Sequence, residues 1–536
     1  MKIRIAALAL LLLFTNATQA QLFKKKTDPV PTADTTIPGV NRLLEVINYV
    51  NEFYVSDPNT DALTETAIRS MLTSLDPHSI YIPAKEVQRT NEALVGNFDG
   101  VGITFSVFND TICVNEVLAG GPSEKVGMLS GDKFLSIDGI KCTGDSAVNS
   151  FVFRHLRGKK GTVVVTEMLR GKDTITFEIT RDKIPIHSVE VYFMENDSIG
   201  YISLLRFARN SVDEFRKAVR ELKKQGMKSL ILDLRGNTGG YLDIAWGMAN
   251  EFISTGRLIV YQEGRSQSRQ DFRANRSGTF RTGDLVVLID ENSASASEIV
   301  SGAVQDWDRG ILIGRRTFGK GLVQRMYNLS DGGQVRITTS RYFTPSGRCI
   351  QKPYDKGTAD YNKELSNRYR HGELFSIDSI HFPDSLKYKT YSGRIVYGGG
   401  GIMPDVFIPL DTTPASKYYQ ACRRKGILNQ FPQYYADRHR NDTLAADFDM
   451  YLKNYDVLKI DSIFDAFAAE KGVVRDSIEE TAEASIVEYN DHFLSLQLKA
   501  LLADRLYGRG HYYQIMKNED KFYISAVKQL QEKESK

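Results

Sequence analysis

The feature that most constrains the fold is an alternation of apolar, strand-like runs with helix-like segments between residues 199 and 314. GYISLL precedes a helical pattern over 211–224, and SLILDL precedes one over 241–253. The strand-like runs LIVYQ and LVVLID, a helical pattern over 295–307 and the run ILIG complete the series. Near-continuous apolar strands indicate a sheet covered by helices on both faces. We therefore predict an α/β core.

Segments with other residue patterns precede and follow this core in the sequence. Residues 39–95 carry apolar residues at helical spacing and predict a small helical unit. Between 96 and 183, short strand-like runs separated by Gly and Asp turns predict a β-rich module. The core should span 184–410, with a polar, Tyr-rich stretch at 355–395 that we interpret as an insertion. A helical pattern continues over 411–536, so several units are expected around one core.

Residues 1–20 have the pattern of a secretion signal. A basic start precedes the ten-residue apolar run IAALALLLLF, and small residues precede an expected cut between Ala20 and Gln21. A membrane-spanning helix would need roughly twenty apolar residues. Residues 21–38 are predicted to be a flexible leader. We therefore expect export to the periplasm or cell envelope, or alternatively secretion.

Export and charge bear on the expected ligands. The formal net charge of +3 over 536 residues is too small to indicate a nucleic-acid partner. Cytosolic nucleotides would be out of reach of an exported protein. Cys113 and Cys142 fall in the β-rich module, where a disulfide and two buried thiols are both compatible with the sequence. We expect neither nucleic acid nor nucleotide as a ligand.

Lys320 lies in GRRTFGKG, which nearly spells the phosphate-binding loop G-x-x-x-x-G-K-[ST]. The match fails at its last position, where Gly321 replaces the hydroxyl residue that would bind Mg²⁺. The following GLVQ has the pattern of a strand, so a helix N-terminus for the phosphate would be missing. Nucleotide binding is therefore the weaker interpretation of Lys320.

Ser295 lies where a predicted buried strand gives way to a predicted helix, in LVVLIDENSASASEIVSGAVQDW. The small residues around it would let a substrate backbone approach closely. Ser295 and Glu298 also fit the capping box S-x-x-E, so capping of the helix is the alternative interpretation. Ser293 and Ser297 occupy the same run, and the residues alone do not choose among the three serines.

A base for such a serine would have to be something other than a nearby histidine. No histidine lies between residues 188 and 370, and His78 in LDPHS is interpreted as a turn residue. A serine hydroxyl needs an adjacent base, and a lysine can act as one where burial lowers its pKa. The residues therefore suggest a Ser–Lys dyad formed by one of these serines, with Ser295 at the helix start as the candidate, and Lys320.

The motifs ENSASASEI, TFGKGLVQ and RYFTPSGRCIQ together resemble those of the carboxyl-terminal processing proteases, also called tail-specific proteases. The resemblance implies that Ser295 is the nucleophile, Lys320 the general base and Gln324 the residue that orients the lysine. The serine and lysine are 25 positions apart, as in the family. DLRGNTGG resembles the family loop DLR-x-N-x-GG, which implies that Gly240 and Ala296 supply the oxyanion-hole amides.

The β-rich module resembles a PDZ domain. GVGI, which is Gly100, Val101, Gly102 and Ile103, stands where that fold has its carboxylate-binding loop. A PDZ groove binds an extended peptide as an added strand, while loop amides hold the terminal carboxylate. The core pattern is similar to the fold shared by Clp-type proteases and crotonases. The resemblance covers roughly residues 40–410.

The resemblance implies an exported serine endopeptidase that recognises protein C-terminal tails and needs neither a metal nor an organic cofactor. Its architecture would be a Clp-protease/crotonase-like α/β core with an inserted PDZ domain, an N-terminal helical unit and a helical C-terminal extension. Its partners would be proteins with apolar C-terminal tails, and self-association or an adaptor protein is left open. The alternative function is a non-catalytic PDZ scaffold that binds protein C-termini.

Overall fold

The computed structural model describes residues 39–108, 110–413, 415–439, 447–455, 459–475 and 484–534. The predicted signal segment 1–20 and leader 21–38 lie outside these ranges. Within them, none of the helices is both long enough and apolar enough to cross a membrane.

The N-terminal unit is helical, as predicted, with one addition. It consists of helices α1 (Val40–Phe53) and α2 (Thr60–Thr73), strand β1 (Ile80–Ile82) and helix α3 (Ala84–Val95). Strand β1 pairs antiparallel with residues 334–336 of the core. The sequence did not predict β1, because three residues are too few to show an alternating pattern. This strand joins the unit to a sheet of the core.

The β-rich module contains all the strands that the sequence predicts. Its elements are β2 (Asn97–Gly100), β3 (Ile103–Phe108), β4 (Thr111–Val117), α4 (Pro122–Lys125), β5 (Lys133–Ile137), β6 (Ile140–Lys141), α5 (Asn149–Leu156), β7 (Val163–Arg170), β8 (Asp173–Thr180) and β9 (Asp182–Pro185). The inward-facing side chains of Val164 and Met168 on β7 are fully buried. Cys113 and Cys142 are both buried and no disulfide joins them, so the disulfide alternative is wrong.

The core contains the strands and helices that are predicted between residues 199 and 314, and further strands that are not. Its elements are β10 (Val189–Met194), β11 (Ile199–Leu204), α6 (Ser211–Lys224), β12 (Ser229–Asp233), α7 (Leu242–Ala249), β13 (Leu258–Gly264), β14 (Gln267–Arg273), β15 (Leu285–Ile289), α8 (Ala296–Asp306), β16 (Ile311–Gly314), β17 (Leu322–Asn328) and β18 (Gln334–Phe343). Strands such as β10 and β14 are not among those that the sequence predicts.

The remaining residues are a connecting segment and a helical extension. The segment 355–395 holds α9 (Thr358–Arg370) and β19 (Lys387–Lys389), and it leads into β20 (Ile395–Tyr397) and β21 (Val406–Phe407). The extension consists of α10 (Lys417–Arg424), α11 (Ile427–Arg438), α12 (Phe448–Asn454), α13 (Ile460–Glu470), α14 (Ala484–Tyr507), α15 (Arg509–Met516) and α16 (Lys521–Glu534). Buried aromatic side chains, among them Phe431 and Phe464, form a core of its own.

The central sheet has the strand order β10-β11-β12-β15-β16-β21, with parallel pairing from β11 onwards. Helices α6, α7 and α8 cover one face. The other face is covered by α16, whose Tyr523, Ala526 and Leu530 pack against the sheet. The prediction of a sheet covered on both faces is confirmed. The last helix of the extension therefore completes the core, although the predicted boundary at residue 411 separates the two.

A second sheet contains β17, the strand that follows the lysine loop, residues 315–321 between β16 and β17. Its order is β1-β18-β13-β14, with β17 paired to β18. Strand β13, which contains LIVYQ, lies here and not in the central sheet. β13 and β14 form an antiparallel hairpin, and β14 is mostly exposed. The alternation of strands and helices in the sequence would suggest that helices cover β13 on both faces, but they do not.

Candidate active site

The residues predicted for catalysis border a cavity of about 280 Å³. Ser295, Lys320, Gln324 and Gly240 all lie on its wall. Apolar side chains line much of the remainder, namely Leu94, Leu242, Ile299, Leu322, Val323 and Met326. Residues separated by up to 84 positions in this predicted set are thus brought to one cleft.

Ser295 occupies a constrained turn between β15 and α8. Its backbone has φ 56° and ψ −110°, a conformation that a residue with a Cβ adopts only when its surroundings enforce it. The buried Tyr342 hydroxyl donates a hydrogen bond to the Ser295 carbonyl at 3.1 Å. Strained residues of this kind concentrate at functional sites. The turn presents Ser295 to the cavity.

The two competing serines are engaged elsewhere. Both are fully buried. The Ser293 hydroxyl donates to the Leu234 carbonyl at 2.8 Å, and the Ser297 hydroxyl donates to the Asn237 carbonyl at 2.7 Å. Neither residue borders the cavity that Ser295 lines. The geometry therefore favours Ser295 among the three.

Glu298 joins the serine turn to the lysine loop. Its fully buried carboxylate accepts hydrogen bonds from the backbone N–H groups of Ser295 at 2.8 Å and Lys320 at 2.9 Å. It also accepts from Gly319 N–H at 2.7 Å and from the Thr317 hydroxyl at 2.6 Å. Burial raises the pKa of Glu298, and these hydrogen bonds oppose that shift. Its predicted role in the first helical turn is confirmed, and its contacts with the lysine loop are additional.

Lys320 has the electrostatic setting that a lysine base requires. Its pKa is lowered mainly because the amine is desolvated, and then by the positive charge of Arg336, while Glu298 and Asp76 raise it. Within the ranges that the structure describes, no carboxylate forms an ion pair with the amine. The loop continues into strand β17 and not into a helix, which confirms the predicted strand and leaves no phosphate-binding helix N-terminus.

Gln324 stands beside Lys320 on the cavity wall and is connected to the N-terminal unit. A β-bulge between Val323 and Gln324 interrupts the β17–β18 register. The Gln324 amide nitrogen donates to the Thr338 hydroxyl at 3.3 Å, and that hydroxyl donates to Asp76 at 3.0 Å. Asp76 is buried and also accepts the backbone N–H of Ser79 at 2.9 Å. The LDPHS turn thus helps to hold Gln324.

The two amides predicted for the oxyanion hole are available. Among the hydrogen bonds of the described residues, neither the N–H of Ala296 nor that of Gly240 has a protein acceptor, whereas Gly239 N–H is donated to Asn237. Gly239 has φ +102°, and a Cβ there would lie 2.9 Å from the Ala296 nitrogen and 2.8 Å from the Ser295 Cβ. Only glycine allows the DLRGNTGG loop to lie this close to the serine turn.

Besides Asp76 and Thr338, three residues near the cavity were not predicted as part of the site. Tyr342 holds the serine turn, and Arg336 lines the cavity. His78 forms part of a turn, as predicted, but burial and the nearby Lys320 lower its pKa to about 4. Its Nε2 lies 2.8 Å from the Tyr361 hydroxyl. Only the polar LDPHS motif, which interrupts an apolar helix, could have indicated that this turn reaches the site.

The predicted PDZ carboxylate loop lies apart from the cavity. Gly100, Val101, Gly102 and Ile103 join β2 to β3, and none of the four lines the cavity of Ser295. The Val101 and Gly102 carbonyls accept backbone N–H groups of Ser123 and Leu118 at 3.0 Å each, so the loop is packed against the start of α4. Peptide capture and bond cleavage would therefore take place at separate positions.

Comparison with known proteins agrees with this arrangement. Residues 198–360 match peptidase family S41, and residues 100–180 match the PDZ domain family. Residues 418–508 match a family of unknown function. The predicted architecture is confirmed: an S41 protease core with a PDZ domain and a helical C-terminal region.

Two relatives and one solved structure illustrate the similarity. A probable CtpA-like serine protease of Staphylococcus epidermidis is 34% identical over 314 residues, which are 57% of this chain and 63% of that protein. The chain thus spans less than two thirds of that relative. The photosystem II D1 C-terminal processing protease structure is matched at 26% identity and a TM-score of 0.36, over 69% of this chain and 93% of that one.

The carboxy-terminal-processing protease of Bartonella bacilliformis is 35% identical over 322 residues. The match covers 59% of this chain and 73% of that protein, and it accompanies the S41 and PDZ matches on adjoining parts of the chain. The chain therefore belongs to the carboxy-terminal-processing proteases of peptidase family S41.

Proposed function

We propose that the protein is a serine endopeptidase that cleaves peptide bonds with Ser295 as nucleophile and Lys320 as general base. The observation that carries this proposal is the shared cavity, which is lined by a constrained serine, a desolvated lysine and Gly240 with its unengaged amide. Glu298 binds the backbone of both residues and fixes their relative positions.

The reaction follows from these groups. The Ser295 hydroxyl oxygen attacks the scissile carbonyl carbon, and its proton passes to the neutral Lys320 amine. The carbonyl oxygen becomes an oxyanion that the N–H groups of Ala296 and Gly240 stabilise. The protonated Lys320 then gives its proton to the leaving amine as the C–N bond breaks. Water, deprotonated by Lys320, hydrolyses the resulting ester and restores the serine.

Gln324 has an orienting role in this scheme. Its side chain borders the same cavity as Lys320 and is held by Thr338. We propose that a side chain fixed on this wall limits the rotamers available to Lys320. Positioning of a reacting group within a narrow range is worth several kcal/mol of barrier.

The PDZ domain suggests the substrate class. Domains of this type bind an extended C-terminal peptide by strand addition. We propose that the substrates are proteins with apolar C-terminal tails and that the protein acts after export, as the signal-like residues 1–20 suggest. The apolar lining of the catalytic cavity suits such tails.

The test compares wild type with Ser295→Ala on a folded protein that carries either an apolar or a charged C-terminal tail. We expect wild type to cleave the apolar-tailed protein, with new C-termini visible by mass spectrometry, and Ser295→Ala to lose activity by at least about 10³-fold. Ser295→Ala should still bind the tail. Binding without turnover in both proteins would support the scaffold alternative. Equal activity of the two proteins would refute the assignment of Ser295.

The pH profile offers an independent check on Lys320. Because only the neutral amine is a base, kcat/KM should rise with pH through the lowered Lys320 pKa, which lies below the ordinary 10.5, and fall as pH drops through it. Arg336→Gln removes a positive charge that favours the neutral amine, so the Lys320 pKa should rise. The increase in kcat/KM should then occur at higher pH. Glu298 and Asp76 act in the opposite sense, and His78 should be neutral throughout. A profile unaffected by Arg336→Gln would contradict this account.

A further inference from the structure

The backbone just before Lys320 is held from two sides by opposite charges. On one side, the Glu298 carboxylate of α8 accepts the N–H groups of Gly319 and Lys320. On the other side, Arg368 of α9 donates to the carbonyls of the preceding residues, at 2.7 Å for Thr317 and 3.1 Å for Phe318. The loop is irregular, so its polar backbone groups need such partners. The two side chains supply them.

The burial and the partners of the Arg368 side chain suit it to this contact. Its side chain is only 2% exposed although it is charged. Beyond Thr317 and Phe318, it reaches the Arg316 carbonyl at 3.3 Å, so one guanidinium serves three consecutive carbonyls. An ion pair with Glu364, one turn earlier on α9, offsets the cost of burying the charge. A guanidinium has five N–H donors in one plane and can bind several carbonyls at once, whereas a lysine amine could bind only some of them.

A second buried cation extends the contact. The Lys352 amine pairs with the same Glu364 at 3.0 Å and lies 3.8 Å from the centre of the Phe318 ring. The Lys352 backbone N–H donates to the Gly319 carbonyl at 2.9 Å. The carbonyls from Arg316 to Gly319 are therefore all engaged by Arg368 or Lys352.

Helix α9 also reaches the turn that supports Gln324. Tyr361 of α9 is buried, and its hydroxyl lies 2.8 Å from Nε2 of His78. The backbone N–H of His78 donates to Asp76 at 2.8 Å, and Asp76 accepts the hydrogen bond that holds Thr338. Both segments that position the base, the lysine loop and the LDPHS turn, thus contact one helix.

We infer that α9, within the segment 355–395, positions the catalytic base, and that Arg368 is its principal positioning residue. This inference rests on the proposed function, in which Lys320 accepts the serine proton. The guanidinium does not line the cavity of Ser295 and Lys320, so it would act through the loop and not on the substrate. It fixes the backbone from which the Lys320 side chain projects, and displacement of a reacting group by about 1 Å can lower a rate by about 10²-fold.

The experiment compares Arg368→Ala and Arg368→Lys with the matched control Arg370→Ala, which removes an exposed arginine from the same helix. Each variant is prepared in the full chain, checked for cooperative unfolding, and assayed on an apolar-tailed protein. We expect Arg368→Ala to lower kcat by about 30-fold with KM within about 2-fold of wild type. Arg368→Lys should recover part of the loss, and Arg370→Ala should match wild type.

Folding and function are separated by a second measurement. Hydrogen exchange at the amides of Phe318, Gly319 and Lys320 should quicken in Arg368→Ala and not in Arg370→Ala, whether or not the protein cleaves the chosen substrate. Should Arg368→Ala not fold, Arg368→Lys carries the test. A folded Arg368 variant with wild-type kcat and unchanged exchange would overturn the inference. An inactive wild type with quickened exchange in the variant would instead count against the proposed function.

Discussion

Lys320→Arg should abolish peptide cleavage while the protein stays folded. The substitution keeps a positive charge and a long side chain, but a guanidinium does not lose its proton in proteins and cannot accept the one from Ser295. Burial at position 320 also disfavours a charged side chain, so a permanent cation there would be poorly solvated as well as unable to act as a base. We expect kcat/KM for an apolar-tailed protein to fall by at least about 10³-fold.

Two controls make that result specific. Lys363→Arg, the same exchange at an exposed position of α9, should leave kcat/KM unchanged. An acylating probe should label Ser295 in wild type and label it far more slowly in Lys320→Arg, because the hydroxyl has lost its base. If Lys320→Arg retains wild-type turnover, Lys320 is not the base. The buried Lys352 would then need testing in the same way, although its pairing with Glu364 speaks against it.

The fold could be predicted where burial leaves a strong periodic pattern. Buried strands such as β12 and β15 are almost wholly apolar, and the sequence predicts both strands and the helix α7 between them. β1 has three residues and is defined by its partner in the second sheet, so no local pattern could reveal it. α16 looks like any amphipathic helix, and nothing in its own residues indicates that it packs on the far face of the central sheet.

The residues of the site likewise divide into those that local motifs predict and those that only tertiary packing brings together. Ser295, Lys320 and Gln324 belong to compact motifs, and the structure brings all three to one cavity. Asp76 and Thr338 are 262 positions apart, and their contact depends on how the N-terminal unit docks on β18. Contacts at such a separation arise from tertiary packing and leave no trace in residue spacing.

The segment 355–395 was interpreted from its polar, Tyr-rich composition as an insertion. Polar residues usually cover an exposed surface, and several in α9 do so. Arg368 and Tyr361 are instead buried, because their polar groups find partners in backbone carbonyls and in His78. Composition does not distinguish a solvated arginine from one that holds a loop, and only the fold decides between them.

Glu298→Gln should weaken both stability and activity although the side chain keeps its size. The carboxylate accepts four hydrogen bonds, two on each oxygen, from Ser295, Lys320, Gly319 and Thr317. An amide offers one oxygen and one NH₂ group, so in either orientation two of the four donors would face another donor. Unpaired buried donors and the loss of charge-assisted bonds should lower the free energy of unfolding by about 2–4 kcal/mol.

Activity should fall for a separate reason. Glu298 is the direct connection between the backbone of Ser295 and that of Lys320, so repulsion at either oxygen would alter the distance between nucleophile and base. We expect kcat to fall by about 10²-fold, with a smaller change in KM, since the substrate-binding walls are not altered. Glu263→Gln makes the same exchange at an exposed position of β13 and should change neither quantity. A Glu298→Gln protein that unfolds at the wild-type denaturant concentration and turns over at the wild-type rate would show that the two halves of the dyad are aligned without this carboxylate.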